Sequence, residues 1–208
     1  MNLAEQGMVR YLGPERLAHL QSVTLGIAGA GGLGSNCAMH LVRSGFKRFV
    51  IADFDVVEPS NLNRQAYRMD QVGLPKVDAL ATNMRQVNPD TEVEAHRLRL
   101  TAQNTRELFV GCDAVIEALD EPSAKATMAE IFWSGDILFV TASGMGGVGN
   151  SDALVCRKVR DNVWLVGDGK TTCDDEHPPF SPRVGVVAAK QADVVLGHFL
   201  DRFANGGC

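Results

Sequence analysis

No two of the five cysteines, Cys37, Cys112, Cys156, Cys173 and Cys208, stand in a C-x-x-C spacing. An odd number without paired spacing argues against a disulfide framework and against a four-cysteine site, so no structural zinc is expected. Positive charge is also in short supply. Twenty Lys and Arg against 25 Asp and Glu give a formal net charge of −5. No Lys/Arg run compensates, which disfavours nucleic acid as a partner, since its binders carry a basic face. No apolar run approaches roughly 18 residues, so no membrane-spanning helix is expected. The opening MNLAEQGMVR lacks the apolar stretch of a secretory signal. A cytoplasmic setting with reduced thiols follows. Tyrosine is limited to Tyr11 and Tyr67, neither in a Tyr-x-x-x-Lys spacing. His19, His40, His96, His177 and His198 show no metal-ligand spacing, and all but His177 read as structural or surface residues.

What is present is an ordinary globular composition, 45% hydrophobic and 22% charged. At 208 residues the chain is expected to form one domain over 1–208. Pro14 suits the first turn of a short helix running to about Gln21. Val23 to Ala28 is an apolar, strand-like run, and Gly29-Ala-Gly-Gly-Leu-Gly34 follows it directly. Ser35 to Ser44 reads as a helix and Arg48 to Asp53 as the next strand. The alternation continues. Helices are expected over 75–87, 101–109 and 122–133, and strands over 93–98, 113–117 and 137–141. Such alternation predicts a doubly wound α/β, Rossmann-like sheet of mostly parallel strands. The C-terminal third reads differently. A hairpin is expected around Arg160-Asp161, then a long loop to Pro182 in which Pro178, Pro179 and Pro182 block regular structure, then a helix from about Arg183 to Phe203.

Gly29, Gly31 and Gly34 satisfy G-x-G-x-x-G between a strand and a helix, where glycine lets the backbone approach a phosphate at the helix N-terminus. Asp53 ends the next strand, about 20 residues on, where a carboxylate can hold ribose hydroxyls. Alone, this pattern does not separate ATP from NAD. The next segment separates them better. Asn61, Arg64 and Gln65 crowd polar groups past a strand end, and Lys76 opens a helix, where its ammonium and the helix dipole favour the same anion. A triphosphate needs such cations because charge builds on it during group transfer. Read singly, Arg64 and Lys76 could be ordinary surface cations. Asp120 follows the strand ending at Glu117 and could hold Mg²⁺ together with phosphate oxygens, with Glu121 as a second candidate. The plainer reading of Asp120 is an N-cap for the helix starting near Pro122.

Gly-Ala-Gly-Gly-Leu-Gly-Ser at 29–35, Asp-Phe-Asp at 53–55, Ser-Asn-Leu-Asn-Arg-Gln at 60–65 and Pro-Lys at 75–76 resemble the signature of the E1-like family of ThiF, MoeB and the ubiquitin-activating enzymes. The resemblance spans about residues 20–200 and is strongest to short ThiF-type proteins, including Ala142–Met145, Val166–Gly169 and Pro182–Gly185. It implies that Gly32 faces the phosphates and Asp53 the ribose of ATP. It places Asn61, Arg64 and Lys76 on the triphosphate and Asp120 on Mg²⁺. The implied reaction is attack on ATP by the C-terminal Gly-Gly carboxylate of a ubiquitin-like sulfur carrier protein, releasing pyrophosphate, with thiamine biosynthesis as the setting. A homodimer is implied as well. The alternatives are an E1-like enzyme adenylating a tRNA base, a peptide or another carboxylate, an NAD-dependent oxidoreductase, and a non-catalytic binding module.

The sequence departs from the family in three places. The paired C-x-x-C zinc motifs are absent. The N-terminal arginine that reaches across the dimer is replaced by Gly13, with Arg10 and Arg16 nearby. Cys173 stands in the crossover loop, where some members use a cysteine covalently, but Asp174, Asp175 and Glu176 are expected to raise its pKa, with His177 offsetting them. Cys37 and Cys156 read as small buried hydrophobes. The terminal Asn205-Gly-Gly-Cys208 reads as a frayed end.

Overall fold

The computed structural model describes residues 1–206. The reading of the last residues of the Gly-Gly-Cys terminus therefore lies outside the described residues. Seven strands form one sheet: β1 (Thr24–Ala28), β2 (Arg48–Ala52), β3 (Glu92–His96), β4 (Ala114–Glu117), β5 (Leu138–Ala142), β6 (Val155–Lys158) and β7 (Val163–Gly167). Their order is β3-β2-β1-β4-β5-β7-β6. All neighbours run parallel except β6, which pairs antiparallel to β7. The order reverses between β1 and β4, so the crevice beyond their carboxyl ends is where this architecture binds ligands.

Seven α-helices, α1 (Leu3–Leu12), α2 (Pro14–Ser22), α3 (Gly32–Arg43), α4 (Lys76–Val87), α5 (Ala102–Phe109), α6 (Pro122–Phe132) and α7 (Ser181–Ala204), and three short 3-10 helices, at Pro59–Asn63, Met69–Gln71 and Ser151–Ala153, complete the described fold. The strands alternate their side chains between two apolar layers, as a sheet covered on both faces requires. Leu25, Ile27, Phe49, Ile51, Ile116 and Val140 pack under α3, α4 and α7. Ala28, Val50, Ala52, Val115 and Phe139 pack under α5 and α6. No described helix is long and apolar enough to cross a membrane.

Each predicted core element is found within one to three residues of its expected ends. Two departures have clear causes. Helix α1 was not expected, yet Asn2 and Glu5 form a reciprocal capping box: Asn2 Oδ1 accepts the Glu5 N–H at 3.0 Å and Glu5 Oε2 accepts the Asn2 N–H at 3.2 Å. The Asn-x-x-Glu spacing was the available signal. Pro182 does not block structure; it lies in the first turn of α7, where the N–H it lacks has no helical partner anyway. Gly13, at φ +79°, ends α1 and starts α2. A glycine there makes the sharp joint that a side chain resists, and Arg10 and Arg16 point from exposed positions on either side.

Candidate functional site

The loop from β1 into α3 is built by two different glycine requirements. Gly29 adopts φ +97°, and a Cβ on it would sit 2.7 Å from the Ala118 carbonyl oxygen. A Cβ on Gly34 would collide with the Gly29 carbonyl, so Gly34 is needed for space rather than for φ. These two glycines bring the β1–α3 and β4–α6 turns together across the switch point. Gly32 is also needed for space, since a Cβ on it would sit 2.9 Å from Val184 Cγ1, whereas Gly31 serves another purpose. Gly31 is the N-cap of α3, no side chain caps that end, and a Cβ at Gly31 would meet nothing nearer than Gln65 Nε2 at 4.0 Å. The first turn of α3 thus presents backbone N–H groups and the positive end of the helix dipole to an open space.

Asp53 fixes this loop from beneath. Its Oδ2 accepts the Ala30 N–H at 2.6 Å and its Oδ1 accepts the Asp55 N–H at 2.8 Å. Each carboxylate oxygen keeps a second lone pair, so a ribose hydroxyl can still donate there. The Tyr67 hydroxyl lies 2.6 Å from the Ala30 carbonyl and 3.3 Å from the Lys76 carbonyl, tying α4 to the glycine loop. Burial pushes the Tyr67 hydroxyl pKa up, helped by Asp53 and Asp55, so Tyr67 remains a neutral donor.

Lys76 is not a surface cation. Its side chain is 7% exposed and its Nζ lies 2.8 Å from Asp55 Oδ2, whose side chain is 45% exposed. Arg64 is half-buried. Its Nη1 donates to Asn63 Oδ1 at 2.7 Å and to the Ser60 carbonyl at 3.3 Å, and no described carboxylate pairs with it. Its side-chain stem packs beside Gly32. Ser35 and Asn36 hold the Arg64 segment against α3: Asn36 Nδ2 donates to the Arg64 carbonyl at 2.8 Å, and Ser35 Oγ accepts the Ala66 N–H at 3.0 Å. Asn61 spends its Oδ1 on the Glu58 N–H at 3.1 Å, and its Nδ2 has only a 3.5 Å contact with Ser60 Oγ. The buried Gln65 Oε1 has no partner at all. Gln65 Nε2 is the group nearest the Cβ position of Gly31, at 4.0 Å, so the Gln65 amide borders the uncapped α3 terminus.

Asp120 is exposed on the β4–α6 turn. It is not the N-cap of α6. Glu121 holds that position, and its carboxylate is taken by Ser123 Oγ at 2.6 Å and by Arg99 Nη1 at 3.3 Å. Asp120 makes no described side-chain hydrogen bond, so its carboxylate is open to a cation. No group of three or more potential metal ligands occurs among the described residues. A divalent ion here would rest on Asp120 plus oxygens from the ligand, which is how Mg²⁺ is commonly held.

The sequence reading overlooked what holds that turn in place. Glu117, fully buried, accepts Lys125 Nζ on both oxygens at 2.9 and 2.8 Å, the Leu119 N–H at 2.7 Å and the Thr141 hydroxyl at 2.5 Å. Lys125 spends its third donor on the Leu119 carbonyl at 2.9 Å. A strand-end Glu eight residues before a Lys at the start of a helix was the only available signal.

The crossover loop between β7 and α7 folds back over the crevice. Met145 N–H donates to the Thr171 carbonyl at 3.0 Å and Gly147 N–H to the Pro178 carbonyl at 3.1 Å, pinning both ends of the loop. Asp168 anchors its start. Its carboxylate accepts the N–H groups of Lys170 and Thr171, the Thr171 hydroxyl, and Arg183 Nη2 at 2.7 Å. Burial opposes the Asp168 charge, but these donors outweigh it and hold its pKa far below the usual carboxylate range. Cys173, at the exposed tip, feels Arg64, Lys125 and Arg183, three cations from three different elements. Burial nevertheless raises its thiol pKa above the ordinary value, Asp174 adds to the rise, and the three cations offset it only in part. The expected offset from His177 is not found, because that ring faces Asp174 Oδ1 at 3.2 Å. Cys37 and Cys112 are core side chains whose thiol pKa burial pushes up, in Cys112 to about 12.

Comparison with known proteins places the chain by family and by fold. The chain is 35% identical over 199 residues to ubiquitin-like modifier-activating enzyme 5 of Oryza sativa, covering 89% of this chain and 44% of that protein. It is 34% identical over 143 residues to the tRNA threonylcarbamoyladenosine dehydratase of Bacillus subtilis, covering 68% and 56%. It is 36% identical over 116 residues to the sulfur carrier protein adenylyltransferase of Thermus thermophilus, covering 55% and 43%. The chain spans less than three-fifths of the length of each of these relatives. The fold matches the E. coli tRNA N6-threonylcarbamoyladenosine dehydratase in complex with ATP at a TM-score of 0.88 and 22% identity, over 97% of this chain and 96% of that one. The ThiF family pattern matches residues 3–195, and the chain belongs to the ThiF family, within the E1-like group of ThiF and MoeB.

Proposed function

We propose that this chain is an ATP-dependent adenylyltransferase that activates a carboxylate. The observation that carries the reading is the uncapped N-terminus of α3, with the carboxylate-free Arg64 packed beside Gly32 and the nearly buried Lys76 opening the next helix. Phosphates would lie against the amides of Gly31 and Gly32, with Arg64, Lys76 and the Asn61 amide around them and the ribose on Asp53. The partnerless Asp120 supports a divalent ion. Bound Mg²⁺ would neutralise charge on the phosphates.

The chemistry follows from charge. A carboxylate oxygen attacks the α-phosphorus, forming a new O–P bond. The bond from that phosphorus to the bridging oxygen breaks, and pyrophosphate leaves with the electron pair. Two anions must approach each other, so the barrier falls where fixed cations and aligned amides already neutralise the phosphates. Arg64 and Lys76 have this role. Cys173 has no part in this step, and its raised thiol pKa fits a bystander.

The substrate proposed first is the C-terminal Gly-Gly carboxylate of a ubiquitin-like sulfur carrier protein, with the chain acting as a homodimer in the cytoplasm and in thiamine biosynthesis. The likeness to the Thermus sulfur carrier protein adenylyltransferase supports the carrier as substrate. A second reading, adenylation of a modified tRNA base, is supported by the likeness to the Bacillus dehydratase and weakened by the net charge of −5. ATP–pyrophosphate exchange with Mg²⁺ separates them. Exchange that requires a carrier ending in Gly-Gly supports the first reading, and exchange that requires tRNA supports the second. ATP binding without exchange under either condition would overturn both.

A further inference from the structure

A second concavity lies along the same edge of the sheet. It has a volume of about 530 Å³ and is lined by Asn150, Arg157, Asp168, Lys170 and Thr171 among others. Its position follows from strand register. Residues 168–171 leave the carboxyl end of β7, and Val155 at the start of β6 pairs with Gly167 at that same end. The cavity and the nucleotide crevice therefore open on one edge of the sheet. Three strand spacings separate the β1/β4 gap from the β7/β6 gap. At about 4.8 Å each, that is on the order of 14 Å.

The charge of this cavity is positive. Its one carboxylate, Asp168, is neutralised by Arg183 at 2.7 Å, both side chains being nearly buried. Arg157 and Lys170 have no described carboxylate partner. Arg157 is aimed at the cavity by a 3.2 Å bond from its Nη2 to the Asp168 carbonyl. The Lys170 ammonium makes no described hydrogen bond. Arg183 also holds the facing wall, donating to the Gly149 carbonyl at 2.6 Å and to the Asn150 carbonyl at 3.1 Å. Asn150 takes a left-handed backbone there, at φ +46°, a conformation that Asn tolerates better than most residues. In a chain with an acidic surplus, two unpaired cations over a neutralised floor form a local anion site.

We infer that this cavity receives an acidic side chain of the protein substrate, upstream of the carboxylate that is adenylated. The inference rests on the adenylation reading for its direction. An extended chain covers about 3.3 Å per residue, so a tail whose terminal carboxylate lies in the crevice would place its residue four or five positions upstream over Arg157 and Lys170. A carboxylate suits the pair because a guanidinium accepts it in a planar fork and the flexible ammonium closes on it from the side.

The test uses the full chain and two synthetic octapeptides ending in Gly-Gly. One carries Glu at the fourth and fifth positions before the terminal glycine and the other carries Gln. Fluorescence anisotropy reads binding with ADP present, and ATP–pyrophosphate exchange reads adenylation. The Glu peptide is expected to bind wild type about tenfold more tightly than the Gln peptide, with the difference lost in Arg157→Gln and in Lys170→Ala. Lys170→Ala removes a side chain that supports nothing described, so it keeps the test decisive if Arg157→Gln disturbs the loop. Equal binding of the two peptides to wild type would overturn the inference, and so would a Glu preference that survives in both variants. A Glu preference lost in the variants but unaccompanied by exchange with the peptides, with a folded Gly-Gly carrier or with tRNA would sustain the anion site and sink the adenylation reading. Exchange without a Glu preference would do the reverse.

Discussion

Two ion pairs on the same edge of the sheet, one beside the glycine loop and one at the root of the crossover loop, differ in a way that separates function from support. Beside the glycine loop, Lys76 is 7% exposed but its partner Asp55 is 45% exposed. At the root of the crossover loop, Arg183 and Asp168 are 6% and 11% exposed. The first pair is open on one side. A phosphate can take Lys76 from Asp55, and the displaced carboxylate is already in water. The second pair is closed. Removing Arg183 takes the only described cation from Asp168, and removing Asp168 leaves the 6% exposed Arg183 without its carboxylate, so that pair serves to build the loop. The same residue types carry out both tasks, and solvent access to the acid decides which.

The strongest way to break this contrast is Arg183→Ala. It strands the buried Asp168 charge and removes the bonds to Gly149 and Asn150, so urea unfolding should show a loss of about 3–5 kcal/mol. An undiminished midpoint would place the loop's support elsewhere. The next largest effect falls on the glycine-loop side and on activity. Arg64→Ala should cut ATP–pyrophosphate exchange roughly 10²–10³-fold, as removal of a preorganised charge does, while its unfolding curve stays at the wild-type position. A matching drop in stability would make Arg64 a structural residue instead.

Acid sharpens the contrast. The folded Asp168 pKa is depressed, so its contribution to stability is present above the unfolded carboxylate value of about 3.9 and is lost as pH falls below it toward the folded value. Wild-type stability should therefore decline below about pH 5, and the decline should be shallower in Arg183→Ala, whose Asp168 has less depression to lose. Parallel slopes in the two proteins would remove Asp168 as the titrating group. Smaller again is Asp55→Asn, which takes the carboxylate from the nearly buried Lys76 but keeps an amide oxygen in its place and should cost about 1–3 kcal/mol in urea unfolding. The smallest effect belongs to Cys173→Ser, for which exchange rates within twofold of wild type are expected. In wild type, alkylation of Cys173 should keep accelerating as pH rises past neutrality, since burial holds the thiol protonated there. A plateau near neutral pH would restore a nucleophilic role.

The sequence by itself determined the sheet, its helices and the glycine loop. Those depend on local alternation and on glycine spacing, which one strand–turn–helix unit displays within a short stretch of chain. Gly29, Gly31, Gly34 and Asp53 could be placed for that reason. Helix α1 was also legible in principle, through Asn2 and Glu5. The state of the charged residues was decided only by tertiary structure. Lys76 read as a possible surface cation because nothing local shows that its side chain is nearly buried against Asp55. Asp120 read as a possible cap because only the folded turn shows Glu121 in that position. The Glu117–Lys125–Thr141 network, the closed Asp168–Arg183 pair and the cations around Cys173 join residues from separate strands and helices. Burial and pairing are properties of what lies across space, and sequence spacing does not encode them.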